Sequence, residues 1–153
     1  MRIAAGLEVI AMNHESTPVQ WTRPMILVVD DEAAEREQIC ILLEDAGYDV
    51  LEAVDGKEAE SVLGVCMVDL MITDIVMPEQ EGLQTIKSVR KNRPHLKIIA
   101  MSGVRVGGHL RAAELLGADA VLCKPLTREV LLDAVAALLP RGETGCGSGS
   151  TRL

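Results

Sequence analysis

The sequence predicts an α/β domain in which helices cover both faces of a five-stranded parallel sheet. Five short apolar segments of strand length alternate with five longer segments that have helical periodicity. The apolar segments are nearly continuous, as expected for parallel strands that are buried on both faces. With 153 residues, of which 48% are hydrophobic, the chain can form one domain with its own core. Because crossovers are right-handed, we expect the doubly wound strand order 2-1-3-4-5.

The first half of the domain is predicted from its apolar runs and from residues that begin or end helices. We number strands β1 to β5 and helices α1 to α5 in chain order. Gly47 is placed to end α1 in the left-handed conformation, and Asp55 and Glu58 have the spacing of a capping box for α2. The predicted bounds are 25–29 for β1, 32–46 for α1, 48–53 for β2, 55–65 for α2 with its cap, and 69–73 for β3.

The second half follows the same pattern. Leu83, Ile86 and Val89 give α3 an inward apolar stripe, Gly117 closes α4, and Thr127 caps α5. The predicted bounds are 82–92 for α3, 97–101 for β4, 107–116 for α4, 119–122 for β5 and 127–139 for α5.

The two ends of the chain differ in composition from this domain, which we expect to span residues 25–140. Residues 1–24 show no sustained period and are expected to form a loosely ordered extension. Residues 141–153 are rich in Gly and Ser, as is typical of a flexible tail. Met1, Met12 and Met25 are all candidate start sites.

Composition narrows the range of partners and compartments. The net charge of −8 argues against nucleic-acid binding, for which a basic patch is the expected feature. The four cysteines lack paired or metal-site spacing, which favours a reduced, cytoplasmic setting. No apolar run approaches the ~20 residues of a membrane span.

Acidic residues stand at the ends of two apolar strands. Asp30 and Asp31 follow β1, and Asp74 follows β3. In the expected strand order β1 and β3 are neighbours, so these carboxylates should meet at the carboxyl edge of the sheet. Taken singly they could cap helices or begin turns. Together they form an all-oxygen set of the kind that Mg²⁺ prefers, and Lys124 after β5 adds a cation.

Four motifs at matching strand ends resemble the response-regulator receiver domain, the CheY-like family of two-component signalling. They are Asp30-Asp31 after β1, the run from Asp74 through Met77-Pro78 to Gly82 after β3, Ser102 after β4, and Lys124-Pro125 after β5. The resemblance covers residues 25–139, with all five strand–helix units in order.

The resemblance implies a role for each residue of the acidic set. Asp74 would be the phosphoacceptor, taking a phosphoryl group from a histidine kinase, a phosphotransfer protein or a small acyl phosphate. Asp31, Asp74 and the main-chain carbonyl of Val76 would bind Mg²⁺ directly, and Asp30 would bind it through water.

The resemblance also implies a switch. Lys124 and Ser102 would contact the phosphoryl group, and Pro125 would follow a cis peptide bond that directs Lys124 towards Asp74. Many receivers have an aromatic residue at the position of Val121, where this chain has a stiff β-branched side chain. The aromatic part of the usual switch is therefore expected to be absent.

These inferences favour a single-domain response regulator, since only a short polar tail follows α5. It would be a phosphoacceptor rather than a dedicated enzyme. The alternative is a receiver-like interaction module that works without phosphorylation. A Mg²⁺-dependent phosphohydrolase is disfavoured, because the position two residues after Asp74, where such enzymes carry a second acid, is Val76.

The face formed by α4, β5 and α5 is the candidate partner surface. Leu131, Val135 and Leu138 would face the core from α5. A second apolar stripe would then point outward together with one residue of α4. These residues are Leu115, Leu132, Ala136 and Leu139. Either a separate target protein or a second copy of the chain could cover them.

Overall fold

Five parallel strands form one sheet in the order β2-β1-β3-β4-β5, which confirms the predicted fold and strand order. The structure is a computed structural model, and it describes residues 23–77, 81–103 and 108–139. The strands are β1 Met25–Val29, β2 Asp49–Ala53, β3 Leu70–Asp74, β4 Lys97–Ser102 and β5 Ala120–Cys123. The helices are α1 Ala33–Asp45, α2 Gly56–Val65, α3 Glu81–Asn92, α4 His109–Leu116 and α5 Arg128–Leu138.

Several predictions concern residues outside the described ranges. The tail at 141–153 and nearly all of the extension at 1–24 lie there. So do Pro78 and the predicted first residue of α4 at position 107.

Strands β3, β4 and β5 each end one residue later than their sequences predicted, and β3 and β5 also begin one residue later. Asp74 pairs with Met101 across the two strands, and Ser102 pairs with Cys123 of β5. The main chain beyond them stays paired, because the Ile75 N–H donates to the Met101 carbonyl at 2.9 Å. Asp74 and Ser102 are therefore the last residues of their strands, where the sheet fixes their main chain.

The sheet separates two hydrophobic clusters. On one face Leu27, Val29 and Met71 pack against α2, α3 and α4. On the other face Ile26, Val28 and Ile72 pack against α1 and α5. This alternation is the period of two expected when each face of a strand is covered by helices.

The residues predicted to begin or end helices make the expected capping hydrogen bonds or have the expected backbone conformation. The Asp55 side chain accepts a hydrogen bond from the Glu58 N–H at 2.7 Å, and the Thr127 hydroxyl accepts one from the Val130 N–H at 3.3 Å. Gly47 and Gly117 have φ of 93° and 115°, in the left-handed region where glycine is strongly favoured. The described helices are all too short or too polar to cross a membrane.

Arg90, near the end of α3, ties together the amino-terminal ends of β4 and β5. Its guanidinium donates to the main-chain carbonyls of Leu96 at 2.9 Å and of Gly117 at 2.6 and 3.0 Å. It also pairs at 2.9 Å with Asp119, whose carboxylate accepts from the Ile98 N–H at 2.8 Å. These bonds fix the edge of the sheet that lies opposite the acidic residues.

The predicted outward stripe on α5 is wrong in part. Leu132 and Leu139 are half-buried and pack against the cluster between the sheet, α1 and α5, whereas Ala136 is exposed. The core-facing surface of a helix on a sheet is wider than a single line of residues, so positions that flank Leu131 and Val135 are also covered. Leu115 of α4 is 73% exposed, as expected.

Candidate functional site

The three predicted acidic residues converge at the carboxyl edge of the sheet. Carboxylate oxygens of Asp30, Asp31 and Asp74 all lie within 4.8 Å of one another. Parallel pairing of β1 with β3 brings them together, since Val29 is aligned with Thr73 and both strands end at this edge. Asp30 is completely buried and Asp74 nearly so, whereas Asp31 is exposed. The site therefore has a buried floor and an open side.

Both oxygens of the Asp74 carboxylate accept hydrogen bonds. The Val76 N–H donates to Oδ1 at 2.9 Å, and the Lys124 ammonium donates to Oδ2 at 2.7 Å. These bonds, together with the strand position of Asp74, hold the carboxylate in one orientation.

Gly82 allows α3 to approach the main chain at Asp74. A Cβ atom at position 82 would lie 2.2 Å from the Asp74 carbonyl oxygen and 2.6 Å from Ile75 Cα. Both neighbours are main-chain atoms that cannot move aside as a flexible side chain can. The glycine of the sequence motif is thus required by close packing beneath the acidic site.

Lys124 is surrounded by carboxylates. Its ammonium pairs with Asp74 at 2.7 Å, with Asp30 at 3.1 Å, and with Glu35 of α1. The Lys124–Pro125 peptide bond is cis, as the family resemblance implied. The side chain of Lys124 is only 14% exposed, so the neighbouring carboxylates stabilise its charge more than water does.

The ionisation of the two central groups reflects this environment. Burial raises the pKa of Asp74, and the hydrogen bond from Lys124, which acts in the opposite direction, offsets only part of that effect. Burial alone would lower the pKa of Lys124, but its hydrogen bonds to Asp74, Glu35 and Asp30 raise the pKa above its usual value. Lys124 therefore stays charged at neutral pH.

Glu35 is the residue of this site that sequence reasoning did not identify. It lies in the first turn of α1. Acidic residues are common there because their negative charge interacts favourably with the positive end of the helix dipole. Its position gave no further signal, since Asp31, four residues earlier, lies before α1 begins and helical spacing does not relate the two residues. Glu35 and Lys124 are distant in sequence, and only folding brings α1 close enough to the end of β5 for them to make contact.

The acidic set has the chemistry that Mg²⁺ requires. Asp30, Asp31 and Asp74 supply hard carboxylate oxygens, and the exposed side of the site leaves room for the waters that Mg²⁺ retains. One lysine close by does not balance four carboxylates, so a dication would reduce the remaining negative charge. The residues present fit the ion.

The other residues for which the family resemblance implied a role lie on β4, on β5 and after β3. Ser102 is completely buried at the end of β4, one residue beyond the partner of Asp74. Val121 is partly buried in β5 and packs against the cluster beneath α4. Val76 is 48% exposed beside the acidic set.

Comparison with known proteins is consistent with this geometry. Residues 26–136 match the family model of the response regulator receiver domain. The chain is 36% identical over 141 residues to the CAI-1 autoinducer sensor kinase/phosphatase CqsS of Vibrio cholerae, covering 89% of this chain and 21% of the relative. It is 36% identical over 127 residues to the response regulator MprA of Mycolicibacterium vanbaalenii, covering 82% of this chain and 54% of the relative. The chain thus spans about half or less of the length of these relatives.

Solved structures agree with the sequence matches. A response regulator receiver protein from Pseudomonas putida aligns with a TM-score of 0.71 and 35% identity, over 75% of this chain and 97% of that one. A CheY-like receiver domain protein from Methanospirillum hungatei aligns with the same TM-score and 29% identity, over 75% of this chain and 92% of that one.

Proposed function

The chain belongs to the family of response regulator receiver domains, and we propose that it accepts a phosphoryl group on Asp74 and thereby switches a protein partner. The observation that carries the proposal is the arrangement around Asp74. A nearly buried carboxylate at a strand end contacts a lysine and lies beside two further carboxylates. A structural ion pair alone would not require three carboxylates at one edge of the sheet.

In the proposed transfer, a carboxylate oxygen of Asp74 attacks the phosphorus of a phosphohistidine or an acyl phosphate. A new P–O bond to Asp74 forms as the bond from phosphorus to the donor nitrogen or oxygen breaks. The leaving imidazole or carboxylate takes that electron pair. Lys124 would donate hydrogen bonds to phosphoryl oxygens, and its fixed position avoids the cost of reorientation during the transfer.

Mg²⁺ would be held by Asp31 and Asp74 and by the Val76 carbonyl, with Asp30 acting through water. When bound, the ion neutralises charge on the phosphoryl oxygens that would otherwise meet carboxylates. The burial of Asp30 and Asp74 supports this assignment, because buried carboxylates in close contact favour a cationic partner.

The modified Asp74 would act on Ser102, whose hydroxyl would donate a hydrogen bond to a phosphoryl oxygen and draw the segment after β4 inward. Val121 offers no ring that could follow this movement. The output is therefore proposed to use main-chain displacement of β4 and β5 rather than an aromatic rotamer change. The donor is proposed to be a histidine kinase or a phosphotransfer protein, and the recipient a protein target in the cytoplasm.

Intact-mass measurement after incubation with acetyl phosphate and Mg²⁺ tests the proposal. We expect one phosphoryl adduct on the wild type and none on Asp74→Asn. Asp133→Asn, which changes an exposed aspartate on α5, is the matched control and should be modified like the wild type. Adduct formation on Asp74→Asn at the wild-type rate would show that the acceptor is another residue. No adduct on the wild type would favour an interaction module, and continuous release of phosphate would indicate a hydrolase.

A further inference from the structure

All three N–H donors of the Lys124 ammonium are engaged in hydrogen bonds. An ammonium has three N–H donors, and the structure gives Lys124 three carboxylate acceptors, on Asp30, Glu35 and Asp74. A phosphoryl oxygen can gain a direct hydrogen bond from Lys124 only if one of these contacts is released or shared. Phosphorylation therefore requires a rearrangement around this side chain.

The three acceptors differ in how easily they can be released. The side chain of Asp30 is 0% exposed, so it would lose its partner in a place that water does not reach. The contact with Asp74, which is 9% exposed, orients the carboxylate that must attack and is needed until the transfer. The side chain of Glu35 is 40% exposed and lies at the rim of a cleft between α1 and the segment after β5. Glu35 can exchange its contact with Lys124 for water at the lowest cost.

We propose that Glu35 is a positioning residue that holds Lys124 in the unmodified protein and competes with the incoming phosphoryl group for it. The inference depends on the proposed role of Asp74 as phosphoacceptor. Release of Glu35 precedes full engagement of the phosphoryl oxygens by Lys124, so the contact slows phosphorylation. Once the phosphoryl group is in place, Glu35 faces water on the α1 side of the site. The carboxylate of an α1 residue thus changes its partner with the state of Asp74.

A simpler account is that Glu35 only stabilises α1 through the helix dipole or adds repulsive charge near the site. The two accounts differ in their prediction for aspartate. Glu35→Asp keeps the negative charge in the first turn, but its side chain is shorter by one methylene and loses the reach to Lys124. In the simpler account this variant resembles the wild type, whereas in our proposal it resembles Glu35→Gln.

The test compares initial rates of phosphorylation by acetyl phosphate, followed by intact mass at saturating Mg²⁺. We expect both Glu35→Gln and Glu35→Asp to be faster than the wild type by about threefold to fivefold, the effect of one partly exposed ion pair. Glu32→Gln, which removes the same charge from an exposed residue three positions earlier, should stay within about twofold of the wild type. Thermal unfolding of each variant shows whether the rates simply follow stability.

A second arm places Glu35→Gln in a Lys124→Ala background. Because the proposed effect acts through Lys124, it should vanish there, whereas direct repulsion of the donor by Glu35 would persist. An unchanged rate in Glu35→Gln, a wild-type rate in Glu35→Asp, or acceleration that persists without Lys124 would each overturn the inference. If no variant gains a phosphoryl group, the phosphoacceptor assignment fails, and the inference fails with it. Equal rates in all variants would overturn the inference alone.

Discussion

Strands β3 and β5 carry the two central residues of the site in different surroundings. All five residues of β3 are buried, and the strand is paired with β1 on one side and β4 on the other. All four residues of β5 are only partly buried, and the strand is paired with β4 alone. Asp74 is the last residue of β3, and Lys124 directly follows β5.

The difference separates the two tasks that a switch must perform. In the proposed function, the carboxylate that would receive the phosphoryl group is fixed by a strand paired on both sides, so its geometry would be set before the donor arrives. The lysine that would respond follows an edge strand, where local opening costs less free energy because fewer contacts must be broken. Under this proposal, rigidity lies at the acceptor and adaptability at the element that would move.

Truncating one core side chain in each strand would test this comparison most strongly. Ile72 is completely buried in β3, so Ile72→Ala should lower the free energy of unfolding by about 3–5 kcal/mol through lost burial and a cavity. Val121→Ala in β5 removes fewer atoms from a partly open position and should cost about 1 kcal/mol. Urea denaturation measures both values. Equal losses would mean that β5 is packed as firmly as β3.

Gly82→Ala should disturb the acceptor side with a smaller loss of stability. The added methyl group would collide with the main chain at Asp74 and Ile75, and overpacking of this kind costs about 1–3 kcal/mol. Displacement of Asp74 should also slow formation of the phosphoryl adduct. Gly64→Ala is the matched control, since a Cβ there meets nothing within 4 Å and the residue lies in α2. That variant should gain up to about 1 kcal/mol, so equal effects would exclude a role for crowding at Gly82.

The smallest change in stability is expected on the α4 side of the partner surface. Leu115→Glu replaces an exposed side chain and should alter the free energy of unfolding by less than about 0.5 kcal/mol. If a second copy docks on this face, the variant should weaken dimerisation of the protein treated with Mg²⁺ and beryllofluoride. Sedimentation velocity measures this. A monomeric wild type in every state would exclude self-association here, and the half-buried Leu132 would be an unsuitable probe because a charge there also destabilises the fold.

The strand ends that form the site could be predicted because their signals are local. Asp30, Asp31, Asp74 and Lys124 each follow or end an apolar run, and parallel topology alone brings such positions to one edge. The one-residue shift in the ends of β3, β4 and β5 could not be predicted, since it depends on pairing between strands that are distant in sequence.

The errors and omissions concern side chains on helices. The outward stripe of α5 was wrong at Leu132 and Leu139, because periodicity gives the direction of a face but not how far the neighbouring elements extend around it. The contact of Glu35 with Lys124 joins residues 89 positions apart, and no spacing rule reaches that far. Helix faces therefore need the folded chain, whereas the approximate positions of strand ends do not.

The bonds of Arg90 give β5 unequal ends. Before the strand begins, Gly117 and Asp119 are held by one guanidinium, whereas its carboxyl end leads into Lys124 and the ion pairs of the site. In the proposed switch, a strand anchored in this way would act as a lever with its pivot at Arg90. Its four residues span roughly 13 Å, so a small rotation at the pivot becomes a much larger excursion at Lys124. Conversely, a pull on Lys124 by a phosphoryl group would turn the side chains of β5 by amounts that increase with distance from Arg90. The proposed switch would thus produce a gradient of movement along one short strand, without an aromatic ring to carry the signal.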